Sequence, residues 1–346
     1  MKRELKIMLM AVALLGLFAC SNDEEIATPG MQGTEPICFN RVSTRAGLSD
    51  LQNDGIRIWA SMSNEFNTSV PLLTNEPVTY AGGEWSYTNT RYWVEQSHFY
   101  FIASYPNDES ARFEEISQSG GGNTYTLYTL DVETPDAADE DILVAKNHTD
   151  TSVVGYSTTV PLAFSHLLTK VNFKMKQDYK KDPDNDYTVT KVTLSGVKRS
   201  AQCVVYPPYE VLGIGDFFTG WDFSSATTAP FVKDFSSSPI RLRDLGSGVN
   251  DYYSVWNTQG LLLIPQAIEP ATVRIRVDYI YHLDGSDPAM DQARYVEANL
   301  PATDKWTSGT EITYTFAIAE QNDISFGMPT IEPWGAPQTG GTIIIK

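Results

Sequence analysis

The segment from Thr272 to Tyr281 (TVRIRVDYIY) alternates without a break, with Val273, Ile275, Val277, Tyr279 and Tyr281 on one side and Arg274, Arg276 and Asp278 on the other. Successive side chains of a strand point to opposite faces, so this period places one face in a core and the other in water. Similar short segments recur along the chain. Ile56 to Ser61 (IRIWAS), Glu84 to Tyr87 and His98 to Ala103 (HFYFIA) are three, the last ended by Pro106, Asn107 and Asp108. Thr124 to Leu130 (TYTLYTL) follows the triple glycine Gly120, Gly121 and Gly122, a hairpin signal. Helix-favouring runs are few, and strand after strand at this spacing specifies an all-β sandwich.

A second series follows in Val160 to Phe164, Lys170 to Lys176 (KVNFKMK), Thr188 to Leu194 (TVTKVTL), Gly260 to Pro265 (GLLLIP) and Glu311 to Ala319 (EITYTFAIA). Between the two series lie an acidic stretch, Asp136 to Asp141, and a polar loop, Lys146 to Asp150. The length suits two domains. We expect an N-terminal sandwich over 37–159 and a C-terminal one over 160–346, each with its own core.

The start of the chain reads as an export signal. Lys2, Arg3 and Lys6 precede an apolar or small stretch from Ile7 to Ala19, too short to span a bilayer and followed at once by the polar run Ser21 to Glu25. Leu17, Phe18, Ala19 and Cys20 match the pattern of a bacterial lipobox, in which the cysteine thiol is diacylated before cleavage. Residues 1–19 are then a leader, Cys20 is the lipidated N-terminus, and 20–36, with Pro29, Gly30 and Gly33, is a flexible tether. Formal net charge is −18, and loss of the basic leader makes the remainder more acidic still. Such a surface excludes nucleic acid as a partner, because phosphate binding needs clustered Lys and Arg.

The tail runs from Ile331 through Pro333, Trp334 and the pair Gly340, Gly341 to Thr342, Ile343, Ile344, Ile345 and Lys346. Three consecutive isoleucines favour a strand, with glycines offering a hinge before it. That strand pairs with its own sheet or with another molecule.

Motifs for chemistry are lacking. His98, His148, His166 and His282 are scattered and in no metal-ligand spacing, and His98 and His166, beside apolar strand residues, read as packed histidines. No nucleophile motif occurs, and we expect neither an enzyme nor a cofactor. Asp182, Asp184 and Asp186 start like a calcium loop, but Tyr187 and Thr193 stand where such a loop needs glycine and glutamate, so a solvated hairpin turn is expected. Trp85, Tyr87, Tyr92, Trp93, Phe99 and Phe101 serve a core or a sugar-stacking platform. Apart from Cys20 there are Cys38 and Cys203, which an oxidising compartment would permit to pair.

Several segments together resemble the fimbrillin family of type V pilus subunits and accessory proteins. They are the lipobox at Cys20, Ser43 to Ala46 (STRA), Trp85 to Trp93 (WSYTNTRYW), Asp141 to Ala145 (DILVA), Leu162 to Phe173 (LAFSHLLTKVNF), Leu261 to Gln266 (LLLIPQ), Trp306 to Phe316 and Ile331 to Trp334. The resemblance implies two transthyretin-like Greek-key β-sandwich domains in tandem, in a lipoprotein carried to the surface of the outer membrane. It implies cleavage by an arginine-specific protease between Arg45 and Ala46, with Arg41 as the alternative site. The lost first strand would leave a groove for a donor strand of another fimbrillin subunit, here within Ile331–Lys346 and centred on Thr342, Ile343, Ile344 and Ile345. Such head-to-tail exchange does not close on itself, and it builds a filament that serves cell adhesion. Release of the first strand with the lipid requires that Cys38 and Cys203 stay free thiols. The competing expectations are an accessory tip or anchor subunit, and a surface glycan-binding lipoprotein using Trp85 and Trp93.

Overall fold

The computed structural model describes residues 35–44, 48–65, 68–120, 123–134, 141–154, 159–178, 186–208, 218–246, 251–257, 260–269, 271–282, 291–301, 305–319 and 323–334. The first strands are β1 (Cys38–Thr44), β2 (Ile56–Glu65), β3 (Thr68–Ala81), β4 (Glu84–Ser86), β5 (His98–Tyr105), β6 (Glu114–Gly120), β7 (Asn123–Glu133), β8 (Leu143–Asp150) and β9 (Thr159–His166), with a short helix α1 (Leu48–Asp54) after β1. Next come β10 (Thr169–Gln177), β11 (Asp186–Ser195), β12 (Ser200–Tyr206), β13 (Phe218–Asp222), β14 (Phe231–Asp234), β15 (Ile240–Arg241) and β16 (Tyr253–Ser254). The last are β17 (Leu261–Leu263), β18 (Arg274–His282), β19 (Gln292–Asn299), β20 (Thr310–Ala319), β21 (Asp323–Phe326) and β22 (Thr330–Pro333).

Three sheets result. The first has eleven strands in the order β1-β9-β8-β5-β2-β3-β7-β12-β13, with β4 on β3 and β6 on β7. The second, of six strands, runs β16-β10-β20-β21, with β17 on β10 and β22 on β20. The third, of five, runs β14-β11-β18-β19, with β15 on β11. The described residues are thus all-β apart from α1 and short 3₁₀ turns, as the strand periodicity requires.

In β18 the alternation becomes burial: Ile275, Val277, Tyr279 and Tyr281 are at most 2% exposed, while Arg276 faces out. Arg276 bonds Asp278 at 3.1 Å and lies 4.0 Å from the Tyr295 ring. The inward side chains meet Phe173, Tyr314 and Phe316 from the second sheet in one core. Tyr314 stacks on Phe173 with centroids 5.4 Å apart and accepts a hydrogen bond from Trp306 Nε1 at 3.1 Å, so its hydroxyl is buried with a partner.

The middle of the first sheet is buried on both faces. Ile58, Ala60, Phe99 and Phe101 join one core with Ile37, Phe39, Trp93 and Leu162, whereas Trp59 and Ile102, one residue out of phase, join another. That second core mixes Tyr128 and Leu130 with Leu167, Leu168, Leu262 and Ile264, so it joins the two halves of the chain. HFYFIA has no wet face for this reason.

Chain order and sheet membership do not coincide. β9 begins at Thr159 and pairs with β8 and β1, so the strand that opens the expected 160–346 unit lies in the first sheet. The crossing falls at Leu167 and Leu168, both buried in the joining core. The chain then returns: β12 runs antiparallel to β7 and carries β13 on its far side. Gly196 makes this return possible, with φ +82 and a position where a Cβ would fall 1.9 Å from the Thr272 carbonyl oxygen. Gln266 fixes the exit, accepting from the Lys198 N–H at 2.9 Å and donating to the Lys198 carbonyl at 3.1 Å.

Candidate functional site: the edge slot of the first strand

The first strand lies at an edge. Among the described residues, β1 ends the order of the first sheet and pairs along its length only with β9, in parallel, with Cys38 opposite Thr159 and Val42, Ser43 and Thr44 opposite Leu162, Ala163 and Phe164. Just before it, residues 35–37 are clamped by 91–93. The Ile37 N–H donates to the Arg91 carbonyl at 2.8 Å, the Trp93 N–H donates to the Glu35 carbonyl at 2.9 Å, and Pro36 bridges Tyr92. Tyr87 Oη donates to the Ile37 carbonyl at 2.9 Å and accepts from the Arg91 N–H at 3.1 Å. Arg91 Nε donates to the Leu72 carbonyl at 3.0 Å and so ties the clamp to β3.

An edge strand usually contributes little to a core. β1 and the residue that leads into it contribute two anchors, Phe39 at 1% and Ile37 at 0% exposure. The Phe39 ring meets Tyr87 at 5.4 Å and Phe101 edge-on at 5.9 Å, and Trp93 packs edge-on against Phe99 at 4.8 Å. Full burial of such side chains is worth about 1.5–3 kcal/mol each, so about 3–6 kcal/mol of apolar contact rests on these two residues at a strand held on one side. Without β1, the slot exposes those walls and the unpaired backbone groups of β9.

Each candidate residue has a place relative to this slot. Arg45 and Ala46 follow Thr44, the last residue of β1, and lie outside the described residues, as do Cys20 and the tail residues Thr342, Ile343, Ile344 and Ile345. Arg41 is within β1, opposite Pro161. Neither Cys38 nor Cys203 is in a disulfide. They sit on β1 and β12, near opposite ends of the sheet order, and burial pushes the Cys203 thiol up to about 12.

Two expectations are corrected. Trp85 and Trp93, at 8% and 2% exposure, are core residues of the wall behind β1 and offer no sugar platform. Asp186 is not in a solvated turn: it starts β11, is 3% exposed and accepts from Arg241 Nε at 2.8 Å. Ile331 to Pro333 belong to β22, which pairs with β20 of the same chain. His98 is a packed, hydrogen-bonded histidine as expected, its Nδ1 meeting His148 Nε2 at 3.2 Å, with the His148 ring stacked on Tyr100.

One cluster went unread in the sequence. His166, the last residue of β9, pairs through Nδ1 with the Asp141 carboxylate and stacks on Trp334, centroids 3.8 Å apart. Burial holds the Asp141 carboxyl above the ordinary carboxylate range, against the opposing pull of His166. The Trp334 N–H donates to the Gly309 carbonyl at 2.8 Å. The segments DILVA, LAFSH and IEPW, far apart in sequence, therefore meet at one point. The only sequence signal was that each ends in, or begins with, a polar or aromatic residue set against an apolar run.

Layered sheets packed over apolar cores define an all-β sandwich protein whose first strand lies at a sheet edge. The fimbrillin-like family model matches residues 44–334, and the chain belongs to that family. Among solved structures it is similar to a fimbrial protein from Bacteroides vulgatus, with 18% identity, a TM-score of 0.62, and coverage of 87% of this chain and 99% of that one. It is also similar to a proposed cell adhesion protein from Bacteroides uniformis, with 18% identity, a TM-score of 0.43, and coverage of 88% of this chain and 100% of that one. No curated protein matches the sequence. At such identities the first likeness establishes the fold.

Proposed function

We propose that the protein is a fimbrial subunit for cell adhesion, exported as a lipoprotein through Cys20 and assembled by strand exchange after cleavage at Arg45. The observation that carries this reading is β1, an edge strand that plugs a core with Phe39, next to the buried Ile37 that precedes it, and ends one residue before Arg45. Cleavage there leaves β1 attached by non-covalent contacts alone. Its effective concentration for the slot then drops from about millimolar to that of a free peptide, and an apolar strand from a neighbouring subunit can compete. Thr342, Ile343, Ile344 and Ile345 have the β-branched character for this. Cys38 and Cys203 are not joined by a disulfide, which is compatible with the same reading, because a bridge between them would retain β1. The protein is a structural subunit and not an enzyme, placed at the outer membrane surface by its lipid before processing and in the fimbrium afterwards.

Incubation with an arginine-specific protease tests this, with and without the residues after Gly341. The intact chain should give an oligomer ladder and the truncated chain should give none. If neither forms a ladder, the stalk role is lost, and retention of the lipid on the mature protein would identify an anchor.

A further inference from the structure

The outer face of the second sheet carries a groove of about 570 Å³. Strand register builds it. Glu311 lies opposite Glu332 across β20 and β22, and Thr313 lies opposite Thr330 two residues further along the same face. On the other side of β20, Lys174 of β10 faces Thr315, and Ser254 of β16 faces Lys174. The inward residues between them, Ile312, Tyr314 and Phe316, are buried, so this is the wet face of a firmly packed support.

We propose that this groove binds a neutral oligosaccharide. Four hydroxyls, two carboxylates, one ammonium and the Tyr252 phenol line it, and no aliphatic side chain does, which excludes an apolar peptide or lipid. Strands flank it, leaving no bare backbone edge for strand addition within it. Its charges mix in sign: Lys170 Nζ is 3.3 Å from Glu311, Asn172 Nδ2 donates to Glu311 at 2.7 Å, and Lys174 stands on the same face as Glu332. A strongly charged ligand of either sign therefore meets repulsion, whereas sugar hydroxyls, each both donor and acceptor, find partners on every row.

Two details separate this face from an ordinary solvated one. On the outer face of the third sheet the charges are spent on each other, with Arg274 3.0 Å from Glu297 and Arg276 bonded to Asp278. In the groove, two glutamates face each other directly, an arrangement that destabilises a sheet. The Glu332 side chain has no hydrogen-bond or ion-pair partner among the described residues. Tyr252 supplies the single aromatic ring of the lining, and Lys176 Nζ lies 4.4 Å from its centroid. The half-buried ring lies on the groove wall, where the C–H face of a sugar would stack on it.

The test applies the full chain to an array of neutral and acidic oligosaccharides, followed by calorimetric titration with the strongest neutral hit. The double variant Thr330→Val/Glu332→Gln changes two exposed side chains, and Glu297→Gln on the third sheet is the control. The double variant should weaken binding at least tenfold, and the control should bind as the parent does. An array with no neutral oligosaccharide above background overturns the proposal, as does binding confined to sulfated or sialylated glycans. Equal binding by the double variant and the parent overturns it too. Since the assay needs no protease and no oligomer, its failure is distinguishable from failure of strand exchange.

Discussion

Replacement of Phe39 by alanine should separate the role of the slot from that of the strand's backbone. The ring is 1% exposed and touches Tyr87 and Phe101 at centroid distances of 5.4 and 5.9 Å. Phe→Ala in a packed interior costs about 3–5 kcal/mol, and an edge slot relaxes more easily than a closed core, so about 3 kcal/mol is expected. In an intact chain this appears as a lower urea midpoint. After cleavage at the end of β1 the same energy governs retention of the freed strand, and about 3 kcal/mol is about a hundredfold in its affinity for the slot. Size-exclusion chromatography with mass spectrometry of the nicked protein would follow loss of that strand over time. Tyr92→Ala is a suitable control, because that side chain is 36% exposed and should change the result by less than about 0.5 kcal/mol. Loss of the strand from the Phe39→Ala protein within threefold of the parent rate would refute the argument that side-chain burial holds β1 in place.

Asp141→Asn should remove a pH dependence. The fold raises the Asp141 carboxyl, so the native state binds that proton more tightly than the unfolded chain does. Its contribution is full below about pH 4 and is lost as pH rises through the raised value, so the parent's advantage in urea midpoint over the variant should shrink with rising pH. A constant difference across that range would contradict the assignment. Trp334→Ala should cost about 1–3 kcal/mol through loss of the stack on His166, and increased proteolysis after residue 327 would report the loosened β22. Alkylation with iodoacetamide at neutral pH, read by mass spectrometry, should leave Cys203 unmodified in the native protein, given burial and a thiol pushed up to about 12, while Cys38, half-buried, reacts first. Gly196→Ala should cost about 3 kcal/mol or more in thermal or urea melts, because the new Cβ meets the Thr272 carbonyl at a positive φ; a loss under 1 kcal/mol would mean the turn readjusts freely.

Period and turn residues carried most of the strand assignment. TVRIRVDYIY, HFYFIA and TYTLYTL all lie on strands, since each had either a wet face to alternate against or β-rich composition throughout. β3 was not visible, as Pro71 and Pro77 interrupt it. The register shifts where β2 pairs with it accommodate those interruptions. Sheet membership was not legible either. The alternation of β9 says that one face is buried but not against which partners, and nothing local in SAQCVVY announces that it pairs with a strand some 70 positions earlier. For the slot, Arg45 was legible as sequence while the clamp at 91–93 was not, because backbone hydrogen bonds between distant loops leave no residue signature. The aromatic run near Trp93 was ambiguous between platform and core, and burial against Phe39 and Phe101 decides for core.

The return of β12 has a mechanical meaning. β11 and β14 pair with each other in the third sheet, and the chain between them reaches across to the first sheet and back as a strap. Six rungs, from Ser200 opposite Glu133 to Val205 opposite Tyr128, fasten that strap to β7. When the molecule is pulled from its two ends, tension meets the crossing at Leu167 and Leu168, the two further crossings on either side of β12 and β13, and this ladder. The halves then cannot extend one at a time like beads on a string. They are expected to yield together, once the strap shears from β7.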